Sequence, residues 1–337
     1  MRKIKITALF CVSLLTATPP ADAQKAFSLS HFADSVLMVR YWRANIDTNY
    51  VTRPQTKWTL TGRFNVSGST ISAEGKAHGK YFETRLSADK KATVSVGVNY
   101  LGLGLNLSIN PAKILGKYSD YELGFRSYGK RVGFDITYQD AHNYKGWTEV
   151  DGARQDVTTS EDLFRLKTAN LNAYYVFNAH RFSYPAAFVS SYIQRRSAGS
   201  FLLAASAMWQ KGEIKGEGSG VTEGRKPIDY KMTHIGIGGG YGYNYVPAQG
   251  WLLHHSALPT LIVYSSSTFT EGDNKLSLHY RFPWLIVTAR SAIVKQIGSN
   301  KFAGLSVVYN FTGVGNRDNL SIHHQKWLAR VNFGLRL

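Results

Sequence analysis

The sequence predicts an all-β fold: a transmembrane antiparallel β-barrel of about 12 strands with both termini periplasmic. Three observations predict it. The first is the stretch Lys326–Leu337, in which Val331, Phe333, Leu335 and Leu337 share one face and Arg330, Asn332, Gly334 and Arg336 the other. This period-two alternation runs to the final residue. An uncovered strand with an apolar face is an open edge in a soluble protein, whereas a closed barrel has no edge. The second is an export-type N-terminus followed by no apolar run of the roughly 18 residues that a membrane helix needs. The third is composition: charged residues are 18% and aromatics 13% of the chain, with 31 glycines, against roughly 25% charged in soluble domains.

Residues 1–23 read as a signal peptide. Arg2, Lys3 and Lys5 supply the positive start, Ile6–Leu15 the apolar run, and Ala21-Asp22-Ala23 a small-x-small cleavage site ahead of Gln24. The one cysteine, Cys11, lies inside this segment behind the bulky Phe10. Lipidation is therefore not expected, and the mature chain has no disulfide and no thiolate chemistry. The formal charge is +18; losing Arg2, Lys3, Lys5 and Asp22 removes a net two and leaves +16. Export argues against nucleic acid as the partner of this charge. Outer-membrane lipids, lipopolysaccharide and small anionic solutes fit it, and the barrel-assembly machinery is expected to insert the chain.

The elements follow in order. Residues 24–56 form a polar periplasmic or barrel-mouth segment, with a short helix expected near Ala33–Arg43, and residues 57–337 form the barrel. Strand one is Lys57–Ser67, with Trp58, Leu60, Phe64 and Val66 outward. Strand two is about Thr70–Ser87. Strand three, Ala92–Ile109, changes parity between Val94, Val96, Val98, Tyr100 and Leu101, Leu103, Leu105, Leu107, so a bulge is expected near Tyr100. Strands four (Tyr118–Ser127) and five (from Val132) form a hairpin about Gly129. Strands six to nine are Phe164–Phe177, Ser200–Lys211, Lys231–Tyr245 and Leu253–Ser266. Strand ten, Leu276–Ile293, is interrupted by Pro283, and strands eleven and twelve are Phe302–Phe311 and Ser321–Leu337. An even count places both ends of the barrel on one side. The turns at Ala88–Lys91, Tyr128–Arg131, Val246–Trp251 and Lys295–Lys301 then fall in the periplasm. The polar, glycine-rich connections, including Gln139–Asp162 and Lys211–Tyr230, fall outside. Asn178–Gly199 breaks this rule, being long yet periplasmic.

Two segments carry a resemblance: Arg43-Ala44-Asn45-Ile46-Asp47-Thr48-Asn49-Tyr50 with Pro54 and Trp58, and Phe182-Ser183-Tyr184-Pro185-Ala186-Ala187-Phe188 with Gln194-Arg195-Arg196-Ser197-Ala198-Gly199-Ser200. Together they resemble a Bacteroidota outer-membrane family, domain of unknown function 4421, over nearly the whole mature chain. The resemblance implies a Gram-negative β-barrel in the cell outer membrane. It carries over no functional residue.

The chemistry-bearing residues fall into three groups. Arg63, Glu122, Arg126, Asp135, Arg290, Arg330 and Arg336, with Asn170, Asn172 and Asn332, occupy inward positions of alternating strands. Mixed charges there either pair across the lumen or line a narrow, anion-leaning pore. Tyr184, Arg195 and Arg196 lie in the long periplasmic connection. The arginines there can grip carboxylate or phosphate, or the loop folds back to plug the barrel mouth. Ser35, in Asp34-Ser35-Val36, resembles a short O-glycosylation motif. No metal site is expected, because the adjacent pairs His254-His255 and His323-His324 each send one ring to either face. The Ser-x-His spacings at Ser277/His279 and Ser321/His323 lack a third partner, so lipid hydrolysis is a third-ranked reading. Gly236–Gly242 alternates with Ile237 and Tyr241 and precedes no helix, which suits strand packing rather than a phosphate loop. No cofactor is expected. The leading functional expectation is a pore for small polar or anionic solutes. The alternatives are a closed structural or interaction barrel that binds lipopolysaccharide or an envelope partner, and an outer-membrane lipid hydrolase.

Overall fold

The computed structural model describes residues 45–77, 79–100, 103–111, 120–159, 164–214, 228–272, 274–277, 284–316 and 320–337. The expected signal peptide, Ser35, His279 and Pro283 lie outside these residues. After a two-residue strand, β1 (Val51–Thr52), alternation begins in β2 (Trp58–Ala77). Its odd positions turn inward and are mostly buried, while Trp58, Leu60 and Phe64 face out, exposed.

The first strand is longer than expected. The expected break at Ser67–Thr70 is absent, because Gly68 serves packing rather than a turn: a Cβ there would lie 2.9 Å from Trp327 Nε1. The chain reverses at Gly79 instead, whose φ of +79° suits glycine. Next come β3 (Lys80–Ala88) and β4 (Lys91–Tyr100), which pair in tandem with β2. The expected turn at Ala88–Lys91 is a bulge: Gly68 and Ser69 face Ala88, Asp89 and Lys90. The extra residue flips parity, so that both Ala88 and Lys91 point inward and are buried. The bulge expected near Tyr100 is in turn a reversal. β5 (Leu103–Ile109) folds back on β4 with Val98 opposite Leu105, which accounts for the change of parity.

The hairpin β6 (Tyr121–Tyr128) and β7 (Val132–Ala141) follows as expected. The connection after it is not a plain loop. It holds a second hairpin, β8 (Tyr144–Val150) and β9 (Ala153–Thr158), turning at Asp151-Gly152, and β8 pairs with β3. Then come β10 (Phe164–Val176), a one-turn helix α1 (Tyr184–Phe188), β11 (Ile193–Gln194), and the long strands β12 (Ala198–Ile214), β13 (Ile228–Tyr245) and β14 (Trp251–Glu271). The chain ends with β15 (Asn274–Ser277), β16 (Leu285–Ile297), β17 (Lys301–Asn316) and β18 (Leu320–Arg336).

All these ladders are antiparallel; β1 and β11 form a two-stranded sheet of their own, and the other sixteen strands make one curled sheet. The sheet closes at two seams. β18 pairs with β2 from Leu320↔Gly75 to Arg336↔Thr59. Leu337 N–H donates to the Trp58 carbonyl at 2.9 Å and its carbonyl accepts from Trp58 N–H at 3.2 Å. At the other seam, β7 pairs with β6 and β10 while its continuation β8 pairs with β3. The corner between them is pinned by the Asp120 carboxylate, which accepts from His142 N–H at 2.8 Å and lies 3.4 Å from Lys91 Nζ.

The outer face is that of a membrane-spanning barrel. Ile235, Ile237, Tyr241, Tyr243 and Tyr245 of β13, and Val331, Phe333 and Leu335 of β18, are all exposed large hydrophobics. Trp58, Tyr245 and Trp251 ring one end of the band, and Trp209 and Tyr264 stand at the other. On β13 the belts are ten residues apart (245 − 235, with Ile235 opposite Tyr264). Ten residues of strand at the usual tilt rise about 25 Å, the height of an apolar membrane band.

This geometry makes a prediction. Ile237 sits mid-strand, outward and 53% exposed, so Ile237→Arg is expected to lower the unfolding free energy in lipid by about 2–4 kcal/mol. Ile237→Val should be near neutral. Urea titration followed by tryptophan fluorescence measures both, and equal stabilities would contradict a lipid-facing Ile237.

Candidate functional site

The interior is built from the inward half of each alternating strand. It has three levels: an apolar layer at the end where the chain enters and leaves the barrel, a polar slab in the middle, and a second apolar layer at the far end. The far layer includes Ile71, Tyr144, Phe164, Leu166, Met232, Ile262 and Ile322.

The entry layer is made by the long connection between β10 and β12, which folds into the mouth as a plug. Ser183 caps α1, its Oγ accepting from Ala186 N–H at 3.2 Å, and Pro185 suits the first turn. All five residues of α1 are buried, and Tyr184 and Phe188 pack with Tyr128, Tyr174 and Leu202 of the wall. Asn178 ties the start of the plug to β12 by donating from its side chain to the Gly199 carbonyl at 2.9 Å. Gln194 ties the end, donating to the carbonyls of Arg181 (2.6 Å) and Arg196 (2.9 Å). Arg336, next to the C-terminus, donates to the Ser190 carbonyl at 3.1 Å and to Gln296 at 2.8 Å. Residues 47–52 lie against the plug. β1 pairs with β11, and Arg181 Nε donates to Asp47 Oδ2 at 3.0 Å while its guanidinium covers the Tyr50 ring.

Above the plug the polar slab spans the lumen. Asp135 on β7 and Arg290 on β16 are separated in the sheet by four strands, so they come from different walls, yet their side chains meet at 2.5 Å. The Arg290 side chain is 1% exposed and lies over the Tyr174 ring. Arg126 Nε reaches the other Asp135 oxygen at 3.7 Å. Asn172 of β10 and Asn310 of β17 bridge walls at 3.3 Å, and Gln210 of β12 and His324 of β18 at 3.2 Å. Glu122 meets Lys326 at 2.9 Å, and Arg330 Nε donates to Asn65 Oδ1 at 2.7 Å.

The expected inward residues Arg63, Glu122, Arg126, Asp135, Arg290, Arg330 and Arg336 thus all sit in the interior, six of them in the slab and Arg336 on the plug. Tyr184 is buried in the plug, whereas Arg195 and Arg196 are exposed on its outer side and form no site with the others. Ser321 is buried and His323 stacks on Phe311, with no bond between them. Among the described residues no three metal-ligating side chains gather.

One constellation matches none of the motifs that the sequence suggests. Asn244 Nδ2 donates to Gln194 Oε1 at 2.9 Å and to the Ser183 carbonyl at 3.0 Å, which orients its Oδ1 toward His254 Nδ1 at 2.7 Å. His254 Nδ1 therefore donates, and Nε2 accepts from Ser256 Oγ at 3.0 Å. Tyr184 donates to the same Oγ at 2.7 Å. Ser256, His254 and Asn244 have the order and spacing of a nucleophile, base and orienting group. The signal is His-x-Ser rather than Ser-x-His, with the third member on the paired strand at Asn244↔His254. It is not an open active site, however. Ser256 is 1% exposed, and the Tyr184 hydroxyl occupies its approach. The chain of bonds anchors the plug.

Fold and interior together define a membrane β-barrel with a plugged entry and a charge-paired lumen. The chain belongs to the family described as Domain of unknown function (DUF4421), whose model matches residues 45–336. No curated protein matches it in sequence. Among solved structures it is similar to the outer membrane protease OmpT from Escherichia coli, at 8% identity and a TM-score of 0.44, covering 84% of this chain and 97% of that one. It is also similar to the transport unit of the autotransporter AIDA-I from Escherichia coli, at 11% identity and a TM-score of 0.34, covering 90% and 96%. A third is OprG from Pseudomonas aeruginosa, at 10% and 0.27, covering 85% and 98%. Likeness at this level says nothing about activity.

Two expected outcomes follow from this interior. Asp135→Asn leaves Arg290 buried without its countercharge and should cost about 3–5 kcal/mol, whereas the paired change Asp135→Leu with Arg290→Met should recover most of it. A double-mutant cycle by urea unfolding measures the coupling. Ser256 should not react with a fluorophosphonate probe in the folded barrel, and Ser256→Ala should lower stability by about 1 kcal/mol through the plug. Rapid labelling of Ser256 would show that the site is open.

Proposed function

We propose that this protein is an outer-membrane β-barrel that is closed rather than conducting, with a structural or interaction role carried by its plugged end. The observation that carries this reading is the plug itself, held by Tyr184 on Ser256 and backed by the Arg290–Asp135 pair across the lumen. Solute passage, the leading expectation from sequence, would need both levels to part.

We place the plugged end in the periplasm, because the connections at Lys130, Val246–Gly250 and Gly298–Asn300 are short there, as periplasmic turns are. That end is basic. Its described connections carry Arg53, Lys57, Lys130, Arg131, Arg181, Arg195 and Arg196, with Lys295 and Lys301 at the adjoining ends of β16 and β17, against Asp47 as the one carboxylate side chain of those connections. Asp47 is already paired with Arg181. Burial, together with the neighbouring Arg131 and Arg53, pushes the Lys130 amine down to about 8. The opposite end carries both signs, with Lys80–Asp151 and Lys145–Asp89 among its pairs or near them. The partner that fits the plugged end is an acidic envelope component.

Two measurements test the reading. In planar bilayers the purified barrel should show no unitary conductance steps, and a steady ohmic current would overturn the closed state. Cosedimentation with peptidoglycan sacculi, used as the acidic probe, should weaken with salt. Reversing both Arg195→Glu and Arg196→Glu should weaken it on the order of tenfold. Binding indifferent to salt and to both reversals would remove the basic end from the proposal.

A further inference from the structure

The apolar outer wall is interrupted between β14 and β16. On β14 the exposed large hydrophobics stop at Leu253 and resume at Leu261, and on β16 they stop at Leu285 and resume at Ile293. Between these bounds the outward positions pair as His255↔Ser291, Ala257↔Ala289 and Pro259↔Val287. The paired alanines make a shallow dip in the wall. Beside them, His255 Nδ1 and Ser291 Oγ lie 2.8 Å apart, and His255 is exposed.

This polar pair lies within the apolar band. His255 is four residues from Trp251 along β14 (255 − 251), and it faces Tyr243, two residues from Tyr245 (245 − 243). Trp251 and Tyr245 mark the belt, so the usual rise and tilt place His255 about 5–10 Å inside it. Whichever of the two atoms donates, the pair keeps one spare donor and one spare acceptor. Nε2–H goes with an Oγ lone pair, or an Nε2 lone pair with the Oγ–H. Lipid tails satisfy neither, and polar side chains at this depth are costly without partners.

We propose that this dip is the interface of a dimer between two copies of the chain, related by a two-fold axis along the membrane normal. Such an axis, passing between β14 and β16, sets each strand opposite the neighbouring strand of the second copy. His255 then meets Ser291 of the second copy, and Ser291 meets its His255, so donor finds acceptor twice. Ala257 meets Ala289 in the same way, and these small side chains let the two walls approach closely. An acyl chain would fill the dip but leave the donor and the acceptor unpaired. This inference rests on the outer wall alone and holds whether or not the plugged end engages a partner.

The test uses the full-length barrel in lipid vesicles. The one cysteine, Cys11, lies in the expected signal peptide, so an introduced cysteine reports alone. Ala257→Cys should give linked dimers with a short bismaleimide. Phe125→Cys, exposed on β6 five strands away, should stay monomeric. Energy transfer between labelled barrels, followed as lipid is added, gives the dissociation constant. His255→Leu should raise that constant about tenfold while heat-modifiable migration on a gel persists, since leucine suits a lipid-facing position. Equal linking from both cysteines, no linking from Ala257→Cys, or a dissociation constant indifferent to His255→Leu would overturn the proposal. So would a monomer that keeps a lipid bound in native mass spectrometry.

Discussion

Closure of the sheet is the constraint on which the rest depends. In an apolar surround every backbone N–H and C=O must find a partner within the protein, because no water competes for it. The chain joins the sheet at two seams by different means. At β18–β2 the ladder is regular to the last residue, where Leu337 and Trp58 exchange both of their backbone bonds. At the other seam the hairpin of β5 and the strand β6 are short, and the wall is continued by β8 against β3. That corner turns only because Asp120 gathers the backbone of His142 and faces Lys91. Lys91 is there because the bulge opposite Gly68 and Ser69 turned it inward. One inserted residue between β3 and β4 thus supplies a charge to the seam.

Closure also creates the interior, and the interior has to be filled. The long strands enclose too much space for small residues to occupy alone. The chain fills it with long polar side chains that reach across from opposite walls, and it seals the ends with apolar layers. Arg290–Asp135 is an expensive way to fill space, since two apolar residues of similar volume would be as stable or more so. What the pair supplies is register. Arg290 fits only where Asp135, Tyr174 and Ser256 stand at one level, which fixes β16 against β7 and β14 across the barrel.

The outer wall was the most legible part in sequence. Val331, Phe333 and Leu335, or Ile235, Ile237 and Tyr241, alternate because lipid is on one side and a polar lumen on the other. Period-two reading captures this directly. The first three strands were less legible because Gly68 resembles a turn residue. Its neighbour Trp327 lies more than two hundred residues away in sequence, and no local pattern reveals it. The parity change after Tyr100 was visible, yet a bulge and a tight hairpin leave the same trace in a one-dimensional pattern. For the interior, the inward arginines could be listed but not paired, since pairing depends on the shear of the closed sheet. The plug was legible as one of two readings of Asn178–Gly199, a connection too long for its side of the barrel, with Tyr184-Pro185 and the arginines folding it back. Its anchor on Asn244, His254 and Ser256 required the β13–β14 register.

The plug is better described as part of the core than as a gate. Withdrawing it exposes the side chains of Phe182, Tyr184 and Phe188, each worth about 1.5–3 kcal/mol when buried. It also breaks the bonds from Tyr184 to Ser256, from Asn244 to Gln194 and from Arg336 to Ser190, at about 0.5–1.5 kcal/mol each. The sum, on the order of 6–13 kcal/mol, is comparable to the whole stability of an ordinary domain. A ligand would need a matching difference in affinity between closed and open states to populate the open one. A small solute with a handful of polar atoms does not supply that. The outer side of the plug, by contrast, holds Arg195 and Arg196 by their backbones and leaves both residues exposed, so a partner can engage their side chains without disturbing the seal. The same connection therefore closes the barrel with its inner face and presents charge with its outer one.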